Sequence, residues 1–328
     1  MTSSTSTPAL SAPTLNDVYV ARERVAPYVP RTPLMRHPLL DEATGLSIWV
    51  KHENHNPTCA FKVRGGLNLV GAMSPEECAR GIVTASTGNH GQSLALASRI
   101  HGVKATVFVP AGNNPDKNAA IRAYGAIVEE GGKDFDDARE RCERRAAETG
   151  ARYVHSGNEP LLIAGVGTYA LEVFEDLPNA DVIFVPLGGG SGACGLITVR
   201  NALGAKAKII AVGAVNADAV YRSWKGPQRV VGTSADTFAE GIATRVSFDL
   251  PFSIYQDNLE DFVQLTEAEL ADGVRMALKT THNLVEGAGS AAIAAAYKLR
   301  EQLAGQRVVC VMSGGNIDAA KLKWILGA

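Results

Sequence analysis

Short runs of apolar, often β-branched residues alternate with segments of helical period from about residue 80 onward. This alternation is typical of βαβ units around a parallel sheet, because strands buried on both faces appear as continuous apolar runs. In the first series, strands are predicted at 81–86, 104–110, 126–130 and 151–156, and helices at Gln92–Ile100, Pro115–Tyr124 and Asp134–Thr149. These segments predict one open α/β unit.

A second series of the same kind occupies the rest of the chain. Its predicted strands are 181–187, 207–214 and 307–312, and its predicted helices are Pro160–Leu177, 266–281 and 286–303. Before residue 80, MRHPLL (35–40) and SIWVKHEN (47–54) are interpreted as short edge strands. The whole pattern predicts an α/β protein with two open parallel-sheet domains.

Composition and charge narrow the class of protein. The 328 residues are 46% hydrophobic and 20% charged, and this length is typical of about two domains. The net charge of -2 and the lack of a basic run predict no nucleic-acid or membrane partner. Residues 1–13 lack the basic start and apolar core of a signal peptide and are expected to be a disordered tail of a cytoplasmic protein.

The five cysteines are scattered, with no CxxC pair and no zinc-like spacing, so reduced thiols are expected. Cys59 stands three residues before Lys62, and we expect it to fill packing space rather than to act as a redox-sensitive thiol.

Four short motifs lie at predicted strand-to-helix junctions, where open α/β sheets bind their ligands. They are CAFKVRGG (59–66), STGNHGQ (86–92), GGGSG (188–192) and SGGN (313–316). Because GGGSG has few side chains, its backbone can surround a phosphate. It has neither the lysine of a P-loop nor the context of a dinucleotide fingerprint. Taken alone, STGNHGQ is equally consistent with simple helix capping.

In this order the four motifs resemble those of the fold-type II pyridoxal-phosphate (PLP) enzymes, especially the serine/threonine dehydratase and serine racemase family. The resemblance covers about residues 15–327. It implies PLP in a cleft between a large domain (14–71 and 158–328) and a small mobile domain (72–157) that carries the substrate loop. It also implies a homodimer.

The resemblance assigns roles to particular residues. Lys62 is the expected Schiff-base lysine and catalytic base, with Phe61 packed near the cofactor. The remaining cofactor-binding residues are expected to be Asn89 at the ring hydroxyl, Ser313 at the pyridine nitrogen, Gly241, and the phosphate loop of Gly188, Gly189, Gly190, Ser191 and Gly192. The substrate-binding residues are expected to be Ser86, Thr87, Gly88, Asn89, His90 and Asn158.

Two departures from the family pattern affect the expected chemistry. Thr87 stands where serine racemases have a second acid/base serine, and its stiff side chain disfavours proton return from that face. Gly213 and Ala219 stand where the family's divalent-cation site has an acidic residue, and Asp218 alone cannot form an oxygen cage. No metal site is therefore predicted.

Other polar residues have simpler interpretations. His52, His55 and His90 are expected to be solvated or to cap helices, since no partner is spaced for a metal. Glu286 can approach the pocket by resemblance, but it also suits the first turn of a helix. The charged run 139–148 predicts an exposed helix face.

The expected function is elimination of the β-hydroxyl of L-threonine, L-serine or a related amino acid, which gives a 2-oxo acid and ammonia. A neutral hydroxyl at the pyridine position favours elimination over transamination. Three alternatives stay open: an amino-acid racemase, a dehydratase for a bulkier substrate such as β-phenylserine or a hydroxyectoine-pathway intermediate, and a non-catalytic PLP- or small-ligand-binding protein.

Overall fold

Two β-sheets organise residues 10–327, the part of the chain that the computed structural model describes. The larger sheet has the strand order β1-β2-β10-β7-β8-β9, and the smaller has the order β5-β4-β3-β6. All neighbouring strands are parallel except β1 and β2. The strands are β1 (Leu34–Arg36), β2 (Ser47–His52), β3 (Ile82–Ala85), β4 (Ala105–Val109), β5 (Ile127–Glu130), β6 (Arg152–Tyr153), β7 (Val182–Pro186), β8 (Lys208–Ala214), β9 (Asp261–Leu265) and β10 (Arg307–Met312).

Helices cover the faces of both sheets. Within the described range they are α1 (Leu15–Val25), α2 (Pro38–Thr44), α3 (Lys62–Gly71), α4 (Pro75–Arg80), α5 (Asn89–His101), α6 (Pro115–Ala123), α7 (Phe135–Thr149), α8 (Pro160–Asp176), α9 (Ser191–Ala202), α10 (Ala219–Lys225), α11 (Asp249–Tyr255), α12 (Glu267–Thr281), α13 (Gly287–Lys298) and α14 (Ala319–Leu326). Short 3₁₀ turns occupy Glu53–His55, Val215–Ala217, Glu240–Ile242 and Arg300–Leu303.

The apolar runs of the central strands are explained by burial on both faces. Along β7, Val182 and Phe184 point into a core shared with α12 and α13, whereas Ile183 and Val185 point into a core shared with α8 and α9. Successive side chains of a strand alternate between faces, so a strand covered on both sides must be apolar throughout. The alternation seen in the sequence is therefore a property of this covered sheet.

The small sheet is covered in the same way. Helices α3, α5 and α6 contribute to the core on one face, and α7 packs on the other. The charged run 139–148 lies on α7, where Arg139 pairs with Glu143 one turn later at 2.9 Å, as predicted for an exposed helix face. The predicted α/β class with two parallel-sheet units is confirmed.

Several element assignments need correction. Of the segment 35–40, only its first residues belong to β1, because Pro38 begins helix α2. Strand β2 is not an edge strand, since it lies between β1 and β10. Helix α5 begins at Asn89 rather than Gln92, and the predicted strand 151–156 shortens to Arg152–Tyr153.

The predicted disordered tail, 1–13, lies outside the described residues as far as residue 9. Pro13 is buried just before α1. Among the described helices, none is long and apolar enough to cross a membrane. All five cysteines are free thiols, as expected.

Candidate active site

Lys62 is the first residue of α3, and its amine lies beside the glycine-rich loop. Its Nζ donates a hydrogen bond to Oγ of Ser191 at 2.9 Å and lies 5.2 Å from the centre of the Phe61 ring. Burial lowers the pKa of Lys62 to about 8, because the protonated amine loses hydration in this pocket. The structure therefore brings together the lysine and the phosphate loop that the sequence predicted to share a site.

The loop before Lys62 is fixed against the end of β10. The Phe61 amide donates to the Ser313 carbonyl at 3.0 Å, and the Gly315 amide donates to the Cys59 carbonyl at 2.8 Å. Ala60 and Gly314 form an antiparallel bridge between these contacts. Cys59 itself is exposed and has a φ of +52°, so the expectation that it fills packing space is wrong.

The glycines at 188–192 form a tight cradle at the start of α9. Gly190 caps the helix with a φ of +95°, which favours glycine. A Cβ atom on Gly188 would lie 2.4 Å from the Gly241 carbonyl, and one on Gly190 would lie 2.5 Å from Pro251 Cβ. Side chains are therefore excluded at Gly188 and Gly190, and the cradle opens on the positive end of a helix, which attracts anions.

The STGNHGQ segment joins β3 to α5. Oγ of Ser86 accepts hydrogen bonds from the Gly88 and Gly91 amides at 3.3 and 2.9 Å. This hydroxyl therefore satisfies two backbone amides at the start of α5. The Thr87 carbonyl accepts a hydrogen bond from Asn113 at 3.4 Å. The capping interpretation is therefore correct for Ser86, and its side chain shapes the loop that was predicted to hold substrate.

Asn89 is held between two side chains from the large sheet. Its Nδ2 donates to Oε1 of Glu286 at 2.7 Å, and its Oδ1 accepts from Asn316 at 2.7 Å. Glu286 is buried at the start of α13, and this burial raises its pKa to about 7. Glu286 is thus part of the site. The sequence alone does not show this, because an acidic residue is equally suited to the first turn of a helix. Asn316 was not predicted individually, although the SGGN motif contains it.

The other predicted residues lie around this centre. Ser313 is buried, and its Oγ makes only a long contact of 3.4 Å to the Ala288 carbonyl. Oδ1 of Asn158 accepts a hydrogen bond from the Leu250 amide at 3.1 Å. Gly241 packs directly behind Gly188. These contacts connect the predicted positions, and the roles assigned to them stay predictions.

Two of the three histidines differ from expectation, whereas His55 is exposed as expected. His52 and His90 are buried, so the solvated or capping interpretation is wrong for both. Burial lowers the pKa of His90 to about 3 and that of His52 to about 4, so both rings are neutral at pH 7. Among the described residues, Nε2 of His90 has no hydrogen-bond partner.

A buried ion cluster surrounds Arg64 of α3, and no local pattern in the sequence indicates it. Arg64 binds Glu53 through Nε and Nη2 at 2.8 and 2.9 Å, and binds Glu172 through Nη1 and Nη2 at 2.7 and 3.0 Å. Lys51 donates to Glu172 at 2.5 Å. Burial works against the charge on Glu53, but Arg64 and Lys51 outweigh it and lower the pKa of this carboxyl.

The resemblance implies a divalent-cation site around 213–219, but Gly213 and Ala219 have no oxygen-bearing side chains. A Cβ atom on Gly213 would lie 2.8 Å from the Phe262 ring, and Ala219 is fully buried. Within residues 10–327, no three His, Cys, Asp or Glu side chains gather in a way that could hold a metal ion. The absence of a metal site stays a prediction.

The groups present fit PLP. An amine of lowered pKa can form a covalent bond to an aldehyde, and the glycine cradle at a helix N-terminus suits a phosphate. The buried Ser313 hydroxyl makes only a long contact within the protein, so it can form a hydrogen bond with the ring nitrogen. Lys62, the 188–192 loop, Ser313 and Asn89 would hold the cofactor.

Comparison with known proteins agrees with this geometry. L-threonine ammonia-lyase of Thermotoga maritima is 36% identical over 313 residues, covering 95% of this chain and 78% of that protein. β-Hydroxyaspartate dehydratase of Paracoccus denitrificans is 31% identical over 312 residues, covering 95% and 99% respectively. The solved structure of maize serine racemase superposes with a TM-score of 0.91 at 28% identity and covers 97% of this chain and 98% of that one.

The match extends to a whole family. The model of the pyridoxal-phosphate dependent enzymes matches residues 25–314, which include Lys62, three of the four motifs in full and the first two residues of SGGN. The chain therefore belongs to the family of pyridoxal-phosphate-dependent enzymes.

Proposed function

We propose that this protein is an ammonia-lyase that removes the β-hydroxyl of L-threonine, L-serine or a related β-hydroxy amino acid. The observation that carries the proposal is the pairing of the Lys62 loop with the buried, neutral Ser313 at the end of β10. A hydroxyl at the ring nitrogen is a weaker electron sink than a carboxylate. This weaker sink favours loss of a β-substituent over transamination.

Lys62 is the base in this proposal. When bound, PLP withdraws electrons from the α-carbon of the attached amino acid and makes the α-hydrogen acidic. With a pKa of about 8, the Lys62 amine is partly unprotonated near neutral pH and can accept that proton. The Ser191 hydroxyl, at 2.9 Å, orients the amine.

The first turn of α5 is the expected site of the substrate carboxylate. Amides in the first turn of a helix have no partner within the helix. Oγ of Ser86 accepts hydrogen bonds from the Gly88 and Gly91 amides, which leaves the Asn89 and His90 amides for an anion. The neutral His90 ring adds no charge beside the carboxylate.

The names of the relatives support the substrate class. Threonine ammonia-lyase and β-hydroxyaspartate dehydratase both act on β-hydroxy amino acids, and each aligns with 95% of this chain. The similarity to maize serine racemase keeps a racemase as the second candidate. Thr87 argues against it, because a stiff threonine would have to deliver the proton to the opposite face.

A substrate screen tests the proposal. The purified protein with PLP is given L-serine, D-serine, L-threonine, hydroxyaspartate and β-phenylserine, and 2-oxo acid and ammonia are measured. Release of both from at least one of these supports the lyase. Exchange of the α-hydrogen in D₂O with little 2-oxo acid would instead identify a racemase. Bound PLP without turnover of any amino acid in a wider set would indicate a binding protein.

The Lys62→Ala variant provides the cofactor control. The wild type is expected to show the visible absorbance band of lysine-bound PLP, and Lys62→Ala is expected to lack it. If neither shows the band, the assignment of Lys62 is wrong.

Repeating the screen with Mg²⁺ and with EDTA tests the predicted absence of a metal. Equal rates are expected, since Gly213 and Ala219 offer no oxygen ligands from their side chains. A marked Mg²⁺ requirement would contradict this expectation.

Location in the cytoplasm and a homodimer complete the proposal. The free thiols of all five cysteines support a reducing compartment. Sedimentation at several protein concentrations would establish the oligomeric state.

A further inference from the structure

Helix α6 connects the small sheet to the large one through its first turn. Nδ2 of Asn114, the residue that caps α6, donates to Asp318 at 3.1 Å, and Lys117 forms an ion pair with Glu240. Helix α6 packs into the core of the small sheet, whereas Asp318 and Glu240 belong to loops around the large sheet. These contacts therefore cross from one sheet to the other.

Lys117 lies against the substrate loop. A Cβ atom on Gly88 would lie 3.6 Å from Cδ and 3.8 Å from Nζ of Lys117. On the opposite side, its partner Glu240 precedes Gly241, whose carbonyl packs against Gly188 of the phosphate loop. One side chain thus connects the loop assigned to the substrate with the loop assigned to the phosphate.

The pair is buried well enough to matter. Only 11% of the Lys117 side chain and 33% of the Glu240 side chain are exposed, so solvent screening is weak. A second crossing pair, Arg245 with Asp136, is 51% and 43% exposed and contributes little. Lys117 is therefore the stronger ionic connection of the two.

Glu240 also has a partner on its own side. Lys321, in the first turn of α14, pairs with the other carboxylate oxygen of Glu240 and with Asp318 at 3.0 Å. Burial opposes the charge on Glu240, but Lys117 and Lys321 outweigh it and lower the pKa of Glu240. Glu240 therefore stays ionised and pairs with two lysines. Only Lys117 belongs to a helix of the small sheet.

We propose that Lys117 is a positioning residue whose ion pair with Glu240 holds the substrate loop closed over Lys62. The proposal rests on the proposed function in one respect, because the substrate loop is assigned there. Without the pair, the loop opens more often. Substrate binding must then restore closure, which raises KM, while the chemical step in the closed state is little changed.

Three variants separate the crossing pair from its surroundings. Lys117→Met removes the connection, Lys117→Arg preserves the charge, and Lys321→Met removes the other lysine of Glu240 without breaking any contact between the sheets. Lys321→Met is the matched control, because Lys117→Met and Lys321→Met each remove one positive charge beside the carboxylate of Glu240. The order expected for every effect is Lys117→Met well above Lys117→Arg and Lys321→Met.

Hydrogen–deuterium exchange of the PLP-loaded protein measures closure directly. Exchange in residues 86–92 is expected to be several-fold faster in Lys117→Met than in wild type and unchanged in Lys321→Met. KM for the amino acid that is turned over is expected to rise about tenfold in Lys117→Met, with kcat changed less than about threefold. The visible band of lysine-bound PLP is expected to persist in all three variants.

Two results would overturn the proposal. One is equal exchange in Lys117→Met and Lys321→Met, which would mean that the cluster acts only as general electrostatics. The other is a fall in kcat with unchanged KM. Because exchange is measured without turnover, it decides the role of Lys117 even if none of the tested amino acids is the substrate.

Discussion

Arg64, two residues beyond Lys62, forms a buried two-point ion pair with Glu172, with contacts of 2.7 and 3.0 Å. The same guanidinium binds Glu53 through two further contacts, so one side chain joins α3 to α8 and to the end of β2. The helix that presents Lys62 is thereby fixed at its start by charge-assisted hydrogen bonds. With Lys51, the cluster holds two positive and two negative groups and adds no net charge near the lysine.

Replacing Arg64 by methionine tests the importance of this cluster. Glu53 and Glu172 would keep only Lys51 as a cation, and loss of one partner from a buried pair costs about 3–5 kcal/mol. Urea unfolding should show this loss. Arg22→Met is the control, since Arg22 pairs with Glu175 on the surface and its loss should cost at most about 1 kcal/mol. Equal costs for the two variants would show that burial does not strengthen the Arg64 contacts.

Gly190→Ala tests the cradle. The new Cβ would meet Pro251 at 2.5 Å and would also occupy a backbone with a φ of +95°. Gly204→Ala is the control, because its φ is +63° but no atom lies within 4 Å of the new Cβ. The control should lose about 1–2 kcal/mol from backbone strain alone. Gly190→Ala should lose more and should also weaken PLP binding, measured by titration of the visible band.

The motifs of the site could be predicted from sequence because each is local. Lys62, Asn89, the 188–192 loop and Ser313 each lie in a short segment whose glycines and small polar residues indicate a turn at a helix start. The parallel sheets were equally predictable, since strands such as β7 are apolar along their whole length.

Features that depend on distant partners could not be predicted. Glu286 and Asn89 are 197 residues apart, and Arg64 and Glu172 are 108 apart, so no local pattern shows that they meet. The sequence predicts β2 as an edge strand because its interior position depends on β10, at the other end of the chain. In α2, the apolar run after Pro38 suggested a strand, although proline at that position also begins helices.

The reactivity of Lys62 should report its lowered pKa. An exposed lysine titrates near pH 10.4, whereas burial brings Lys62 to about 8. Acetylation of the PLP-free protein by a trace of acetic anhydride, followed by mass spectrometry, should give a half-maximal rate for the Lys62 peptide near pH 8. Exposed lysines of the same protein serve as the internal reference. Equal titration of Lys62 and the exposed lysines would show that the pocket does not desolvate the amine.

Glu286 should make stability depend on pH in a defined direction. Burial raises the pKa of Glu286 from 4.5 to about 7, so between these values the folded state binds a proton that the unfolded state has released. The stabilisation is therefore complete below pH 4.5 and is lost as the pH rises through 7, by an amount on the order of 3 kcal/mol. Glu286→Gln keeps a hydrogen-bond acceptor for Asn89 but cannot titrate. The unfolding free energy of both proteins is measured without PLP from pH 4 to 8. Between pH 4.5 and 7 the value for wild type should fall relative to the value for Glu286→Gln. Parallel profiles for the two proteins would mean that Glu286 keeps an ordinary pKa and that its carboxylate is charged beside Asn89 over most of this pH range.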